Sequence, residues 1–177
     1  MATARLRSRI PFRSVNRKHS PGYDPGMQRH HLLPCQLLGK ACFGGLFDAI
    51  GRDRVGFDDF RLNGLLLPSN DTATLRIGLP LHRGPHRHYN EVVIERVGEV
   101  ERCWSGQRLR APEIALENAL MRLALLQRAL RRRLLEPGNK PLRLNRKDPV
   151  GFGYDFTELD AMAEQVWACS NPDLRQV

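Results

Sequence analysis

Cysteine is scarce and poorly spaced for chemistry: Cys35, Cys42, Cys103 and Cys169 form no Cys-x-x-Cys pair and no dense cluster. A zinc ribbon and a disulfide framework are thereby excluded, and buried free thiols are expected, with Cys35 and Cys42 two helical turns apart on one face. Long hydrophobic runs are also missing. None approaches bilayer-spanning length and no signal-peptide core succeeds the first residues, so a soluble, cytoplasmic chain is the expectation. His-Glu-x-x-His does not occur, which removes the helical zinc-peptidase motif, and neither do the His-x-Glu and Cys-x-x-Cys elements of a hydrolytic deaminase. There is no internal repeat.

Acid is missing from one stretch in particular. Residues 1–20 hold six basic side chains (Arg5, Arg7, Arg9, Arg13, Arg17, Lys18) and no Asp or Glu, so of the formal net charge of +9 only +3 remains for the other 157 residues. Such an arm can bind phosphate backbones through counterion release or stand in water as a solvated tail; it has little of the amphipathic order of an organellar transit peptide. The turn-rich Ser20-Pro21-Gly22-Tyr23-Asp24-Pro25-Gly26 separates it from the histidine pair His30-His31. Residues 1–26 are therefore expected to be a basic, flexible arm and linker, with order starting near Met27. At 177 residues, 41% of them hydrophobic, the chain suits one domain and leaves no room for a second enzyme domain.

His31-Leu32-Leu33 reads as a short extended stretch stopped by Pro34. Gln36 to Ile50 reads as a helix closed by Gly51, with Leu37, Leu38, Phe43, Leu46, Phe47 and Ile50 at near-helical spacing. Leu65-Leu66-Leu67, bounded by Asn63-Gly64 and Pro68-Ser69, has the size of a small buried strand that can pair with Leu32-Leu33 as a ribbon. After Gly84-Pro85 the period changes, and Tyr89, Val93, Val97, Val100 and Trp104 mark an amphipathic helix. A second long helix is expected over Ala111 to Leu135, with Leu116, Leu120, Leu123, Leu130 and Leu134 on one face. Ile114, Met121, Leu125 and Leu126 widen its apolar surface, which suits docking on the core or a homodimer, and Arg131-Arg132-Arg133 complement its C-terminal dipole. A basic loop over 138–153 and a last helix over Thr157 to Cys169 complete the reading.

Five of the six histidines fall in two short segments, His30-His31 and His82 to His88. Adjacent imidazoles can divide labour, one holding a metal while the other stays free as a base near neutral pH. Gly84-Pro85 interrupts the spacing between His82 and His86, which places His82 on an entering turn and His86 in the first helical turn. His86 then shares a face with Tyr89, Asn90 and Val93, and burial of Val93 aims it at the ribbon. His88, two residues along, points elsewhere. The neighbouring Arg29, Arg83 and Arg87 suit an anionic substrate, and a helix N-terminus adds donors for a phosphate. A lone histidine is more often structural, and Asn63 before Gly64 is more often a turn residue. That plain reading has to account for both histidine segments and the intervening Asn63 together.

His30-His31-Leu32-Leu33-Pro34, then Asn63-Gly64-Leu65-Leu66-Leu67-Pro68, then His82-x-Gly84-x-His86-x-x-Tyr89, closely resembles the AHH family of nucleases, named for Ala-His-His, in the HNH and endonuclease VII superfamily. The resemblance covers roughly residues 27–100. It implies a ββα-metal nuclease core, read here over 27–104, that contains a short two-stranded ribbon, within an α+β, mostly helical fold; residues 105–177 lie outside the resemblance and are read from their periodicity as a C-terminal helical extension packed on that core. It also implies that His30, His82 and His86 hold one divalent metal (Mg, Mn, Zn or Ni), that His31 activates water, and that Asn63 braces ribbon and base. The substrate would be nucleic acid, DNA ahead of RNA.

Arg29, Arg83 and Arg87 are phosphate-clamp candidates by position, and Tyr89 is a substrate-stacking or core residue. Family members often act as toxins or effectors, which implies an inhibitory or immunity protein and delivery to another cell. Arg29 stands where the family name has Ala, a departure that leaves the pair itself intact. The alternative is a non-catalytic, metal-stabilised nucleic-acid-binding module, against which stands the retained His31, since a structural site needs no free imidazole beside a ligand.

Overall fold

Strand β1 (Met27–His31) and strand β2 (Gly64–Pro68) form an antiparallel two-stranded ribbon in the computed structural model, which describes residues 8–136 and 144–145. The register pairs His30 with Leu65 and His31 with Gly64. Leu65 to Leu67 are thus in a strand as expected, but their partner is the stretch ending at His31, not Leu32-Leu33. The two leucines leave the ribbon and are fully buried. The Leu32 N–H makes one more in-register bond, to the Asn63 carbonyl (2.9 Å), and the Leu33 N–H then turns to the Asn63 side-chain oxygen (2.7 Å).

The remaining elements are helices: α1 (Ala41–Ile50), α2 (Arg52–Val55), α3 (Phe60–Asn63), α4 (Asp71–Ile77), α5 (Arg87–Gln107) and α6 (Pro112–Leu135). The chain is α+β, mostly helical, around one small sheet. The helix expected over Gln36 to Ile50 is split: a 3-10 turn at Cys35–Gly39 precedes α1, because Lys40 takes an extended conformation with φ −86° and ψ 117°. Gly51 closes α1 as expected, at φ 85° where a Cβ would be strained. Cys35 and Cys42 are exposed and not buried, since the face that packs is carried by Leu37, Phe43, Leu46, Phe47 and Ile50.

Helices α5 and α6, joined through residues 108–111, pack on each other and on α1. Every apolar position expected of α5 is buried, from Tyr89 through Trp104. On α6 the buried stripe runs through Ala115, Ala119, Leu123, Leu126, Leu130 and Leu134, while Leu116 and Leu120 are only partly buried and Ile114 and Met121 are exposed. The buried stripe is thus shifted toward two alanines, small residues that the leucine spacing does not mark. Pro112 opens α6 at the position where its missing N–H is not needed. Among the described residues no helix is long and apolar enough to cross a membrane. The expected helix over Thr157 to Cys169 and nearly all of the basic loop over 138–153 lie outside the described residues.

Residues 8–26 are not the free arm that their charge suggests. Phe12, in a 3-10 turn, is 5% exposed. Its N–H bonds to the Asp58 carbonyl (2.9 Å), and the Phe60 N–H returns a bond to the Ile10 carbonyl (2.8 Å). Further along, the Asn16 side-chain amide donates to the carbonyls of Asp24 (2.9 Å) and Met27 (2.8 Å). One buried aromatic and paired main-chain groups outweigh the mutual repulsion of exposed arginines, and the segment runs as a strap beside β1.

Gly64, opposite His31, is required by space: a Cβ there would lie 2.2 Å from the Phe60 ring. Gly64→Ala should therefore lower stability by about 1–3 kcal/mol through overpacking. Urea unfolding followed by circular dichroism measures this, and an unchanged midpoint would mean that the Phe60 ring moves freely.

Candidate metal centre and active site

Successive side chains on a strand point to opposite faces, and β1 uses that alternation to separate its two histidines. His30 turns inward and is 3% exposed; His31 turns to the strap side and is half-buried. The loop after α4 brings His82 to His30, and its path is fixed where the His82 N–H bonds to the Pro68 carbonyl at the end of β2 (2.7 Å). His86 stands at the N-cap of α5, one position before the first helical turn in which its spacing puts it, and its carbonyl accepts the Asn90 N–H (2.9 Å).

The three rings converge. Centroids are 4.9 Å apart for His30 and His82, 5.6 Å for His30 and His86, and 4.4 Å for His82 and His86. One ligand nitrogen from each lies within 4.8 Å of the others. His30 Nε2 and His82 Nδ1 are buried with no hydrogen-bond partner in the protein. An unpaired buried polar nitrogen costs roughly 1–3 kcal/mol, and two of them in a cluster of three imidazoles fit a site that a metal ion would satisfy. Three neutral imidazoles suit a borderline divalent cation and leave coordination positions for water and substrate.

Protonation states agree with this. Burial holds His30 well below the usual imidazole range, helped by the neighbouring His82, His86 and His31. His82 is pushed down to about 4 by burial and then by His86. His86 is lowered by burial, partly offset by a hydrogen bond to the Leu144 carbonyl. All three therefore present lone pairs, not charge, at neutral pH.

Asn63 is fully buried and works on the main chain. Its side-chain oxygen accepts the Leu33 N–H (2.7 Å) and its amide donates to the Leu33 carbonyl (3.0 Å), closing a two-point clasp. Gln127 of α6 completes it by donating to the Asn63 oxygen (3.3 Å) and to the Val55 carbonyl (3.1 Å). Asn63 thus holds the segment that leaves the histidine pair. Tyr89 does related work: 2% exposed, it donates its hydroxyl to the Leu32 carbonyl (2.8 Å) and sets its ring edge against His30 (4.9 Å). That burial rules it out as a substrate-stacking residue. It is a wall of the histidine cluster.

On the other face His31 stacks on Phe12, with ring centroids 3.5 Å apart and planes 10° from parallel. A stack covers one face of the imidazole and leaves the ring edge, which carries the nitrogens, outside that contact. Burial lowers the His31 pKa, the Asp58 carboxylate raises it, and Arg29 lowers it. Arg29 donates to the carbonyls of Arg13 (3.0 Å) and Val15 (2.8 Å), so it ties the strap to β1. Phe12, Arg13, Gln28, Arg29 and His31 line an open pocket. Arg83, Arg87 and His88 are exposed around the start of α5. Reasoning from sequence misses Phe12, Gln127 and Leu144. Phe12 is hidden among arginines, and the other two carry no motif.

A family model described as AHH, a nuclease family of the HNH/ENDO VII superfamily with conserved AHH, matches residues 11–130. The match begins at the strap and ends within α6. Neither curated proteins nor solved structures gave a match.

The depressed pKa values predict a pH-dependent stability for the metal-free protein. Below about 6.5 the unfolded chain takes up protons that the folded cluster refuses until near 4 for His82, so stability is full above that range and falls as pH drops through it. Melting temperatures with chelator, from pH 7.5 to 4.5, should decline more steeply for the parent than for His82→Ala. Equal slopes would disconnect the cluster from acid sensitivity.

Proposed function

The chain belongs to the AHH family, nucleases of the HNH/ENDO VII superfamily, and is a metal-dependent endonuclease; from that premise we propose that His30, His82 and His86 hold the ion and His31 is the general base. The observation that carries the assignment is the split of the pair across β1, with His30 among two other unprotonated imidazoles and His31 alone beside an open, arginine-lined pocket. The ribbon and α5 are read as the ββα-metal unit of the superfamily. A divalent ion there would supply Lewis-acid stabilisation of phosphate oxygens.

The protein's own residues do the remainder. His31 accepts a proton from the attacking water on an in-plane nitrogen while the water oxygen bonds to phosphorus. The P–O3′ bond breaks, leaving a 5′-phosphate and, once the leaving oxygen takes a proton, a 3′-hydroxyl. A positioned general base contributes about 10²- to 10⁴-fold in such a step. Phe12 keeps the His31 ring in one plane, and Arg13 and Arg29 line the pocket where a phosphate would sit. Exposed Arg83 and Arg87 are proposed contacts to flanking phosphates, which fix position without reading sequence.

The proposal includes DNA as the preferred polymer and action in the cytoplasm, either of the producing cell or of a cell that receives the protein as a toxin or effector. The latter setting requires an inhibitory immunity protein. These points rest on the family resemblance and on the exposed basic strap.

The purified protein should nick plasmid DNA with added Mg, Mn, Zn or Ni and stop with chelator. His31→Ala should retain metal and lose cleavage by about 10²-fold or more, as expected for loss of a general base. His86→Ala should lose both. Cleavage by His31→Ala at the parent rate would refute the assignment of the base, and parent-like metal uptake by His86→Ala would refute that of the ligand.

A further inference from the structure

His86 comes after the exposed Gly84-Pro85 and stands at the N-cap of α5 without a side-chain cap hydrogen bond. Its ring is held from a distance of 58 residues: Nδ1 lies 3.2 Å from the main-chain carbonyl oxygen of Leu144. A carbonyl can only accept, so Nδ1 carries the proton and Nε2 is left as the lone-pair nitrogen. The next residue makes a second contact with the same loop, the Asn145 side-chain amide donating to the Arg83 carbonyl. Leu144 itself is 4% exposed and belongs to the hydrophobic core. Its carbonyl is therefore anchored by burial.

Both contacts fall on the loop that delivers His82 and His86, and both come from beyond residue 130, where the family match ends. We propose that Leu144 and Asn145 are positioning residues, a clasp that fixes the tautomer of His86 and steadies the 82–86 loop, so that this chain's metal affinity depends on a segment outside the family-matched region. The proposal rests on reading His86 as a ligand. The physical basis is general: the second nitrogen of a ligating imidazole is usually engaged by an acceptor that sets which nitrogen faces the metal, and loss of that partner costs about 10- to 100-fold in affinity.

Two measurements on the full-length chain test it. Long-range proton–nitrogen correlation NMR on the chelated, nitrogen-15-labelled protein at pH 8 should find His86 protonated on Nδ1, with Leu144→Ala shifting it toward a mixture of tautomers. Cobalt(II) titration followed by visible absorption should show Asn145→Ala and Leu144→Ala binding about 10- to 100-fold more weakly than the parent. Asn145→Ala removes one surface-proximal amide, so its chelated form should melt with the parent and separate affinity from folding. An Nε2-protonated His86 in the parent, or parent-like cobalt affinity in both variants, overturns the clasp while the three-histidine centre stands. Failure of the parent itself to take up cobalt overturns the metal reading, and the clasp with it.

Discussion

The clasp of the Asn63 side chain on both main-chain groups of Leu33 is the constraint on which the rest of this molecule depends. It joins positions 30 residues apart, and it does so in a fully buried setting where hydrogen bonds meet no competition from water. The Leu32 N–H still meets the Asn63 carbonyl in register, but at Leu33 the Asn63 side chain takes the place of a partner strand and the chain turns into the core. The ribbon register has the same origin, since His31 pairs with the glycine directly after Asn63. A slip of one residue would exchange the faces of His30 and His31 and dismantle both halves of the site.

Strand alternation then does chemical work. The inward position subjects His30 to desolvation and to two neighbouring imidazoles, which keep it neutral. The outward position gives His31 a carboxylate and a guanidinium of opposing effect and a flat aromatic neighbour. Two identical side chains one residue apart thereby acquire different surroundings at no cost in sequence length. Tyr89 links the halves, since its hydroxyl bonds to the residue after the pair while its ring walls the inner cluster.

Periodicity and local chemistry are what the sequence makes legible. The apolar repeat from Tyr89 to Trp104 reports α5 because that helix buries a single regular stripe, and the Asn-Gly-Leu-Leu-Leu-Pro run reports β2 because turn residues bound it. The convergence of His30, His82 and His86 is legible in part from the helical face that aims His86 at the ribbon, and as a set of three only in the light of the family. The strap is not legible, because six basic charges without an acid mask one phenylalanine whose burial decides the outcome. The shift of the α6 stripe escapes for a related reason: leucines draw attention, whereas Ala115 and Ala119 are among the residues that are buried. Tyr89 is ambiguous in sequence because an aromatic near a basic cluster fits both core and substrate, and only burial distinguishes them.

The bond from Gln127 to Asn63 carries a consequence for how the protein comes into being. Translation delivers the histidines, the ribbon and even the start of α5 well before the residue that completes the satisfaction of Asn63. A nascent chain that already displays His30, His82 and His86 still lacks the α6 surface against which Val55, Asn63 and the core leucines close. The surroundings of Asn63 are thus complete only once α6 has closed over the ribbon.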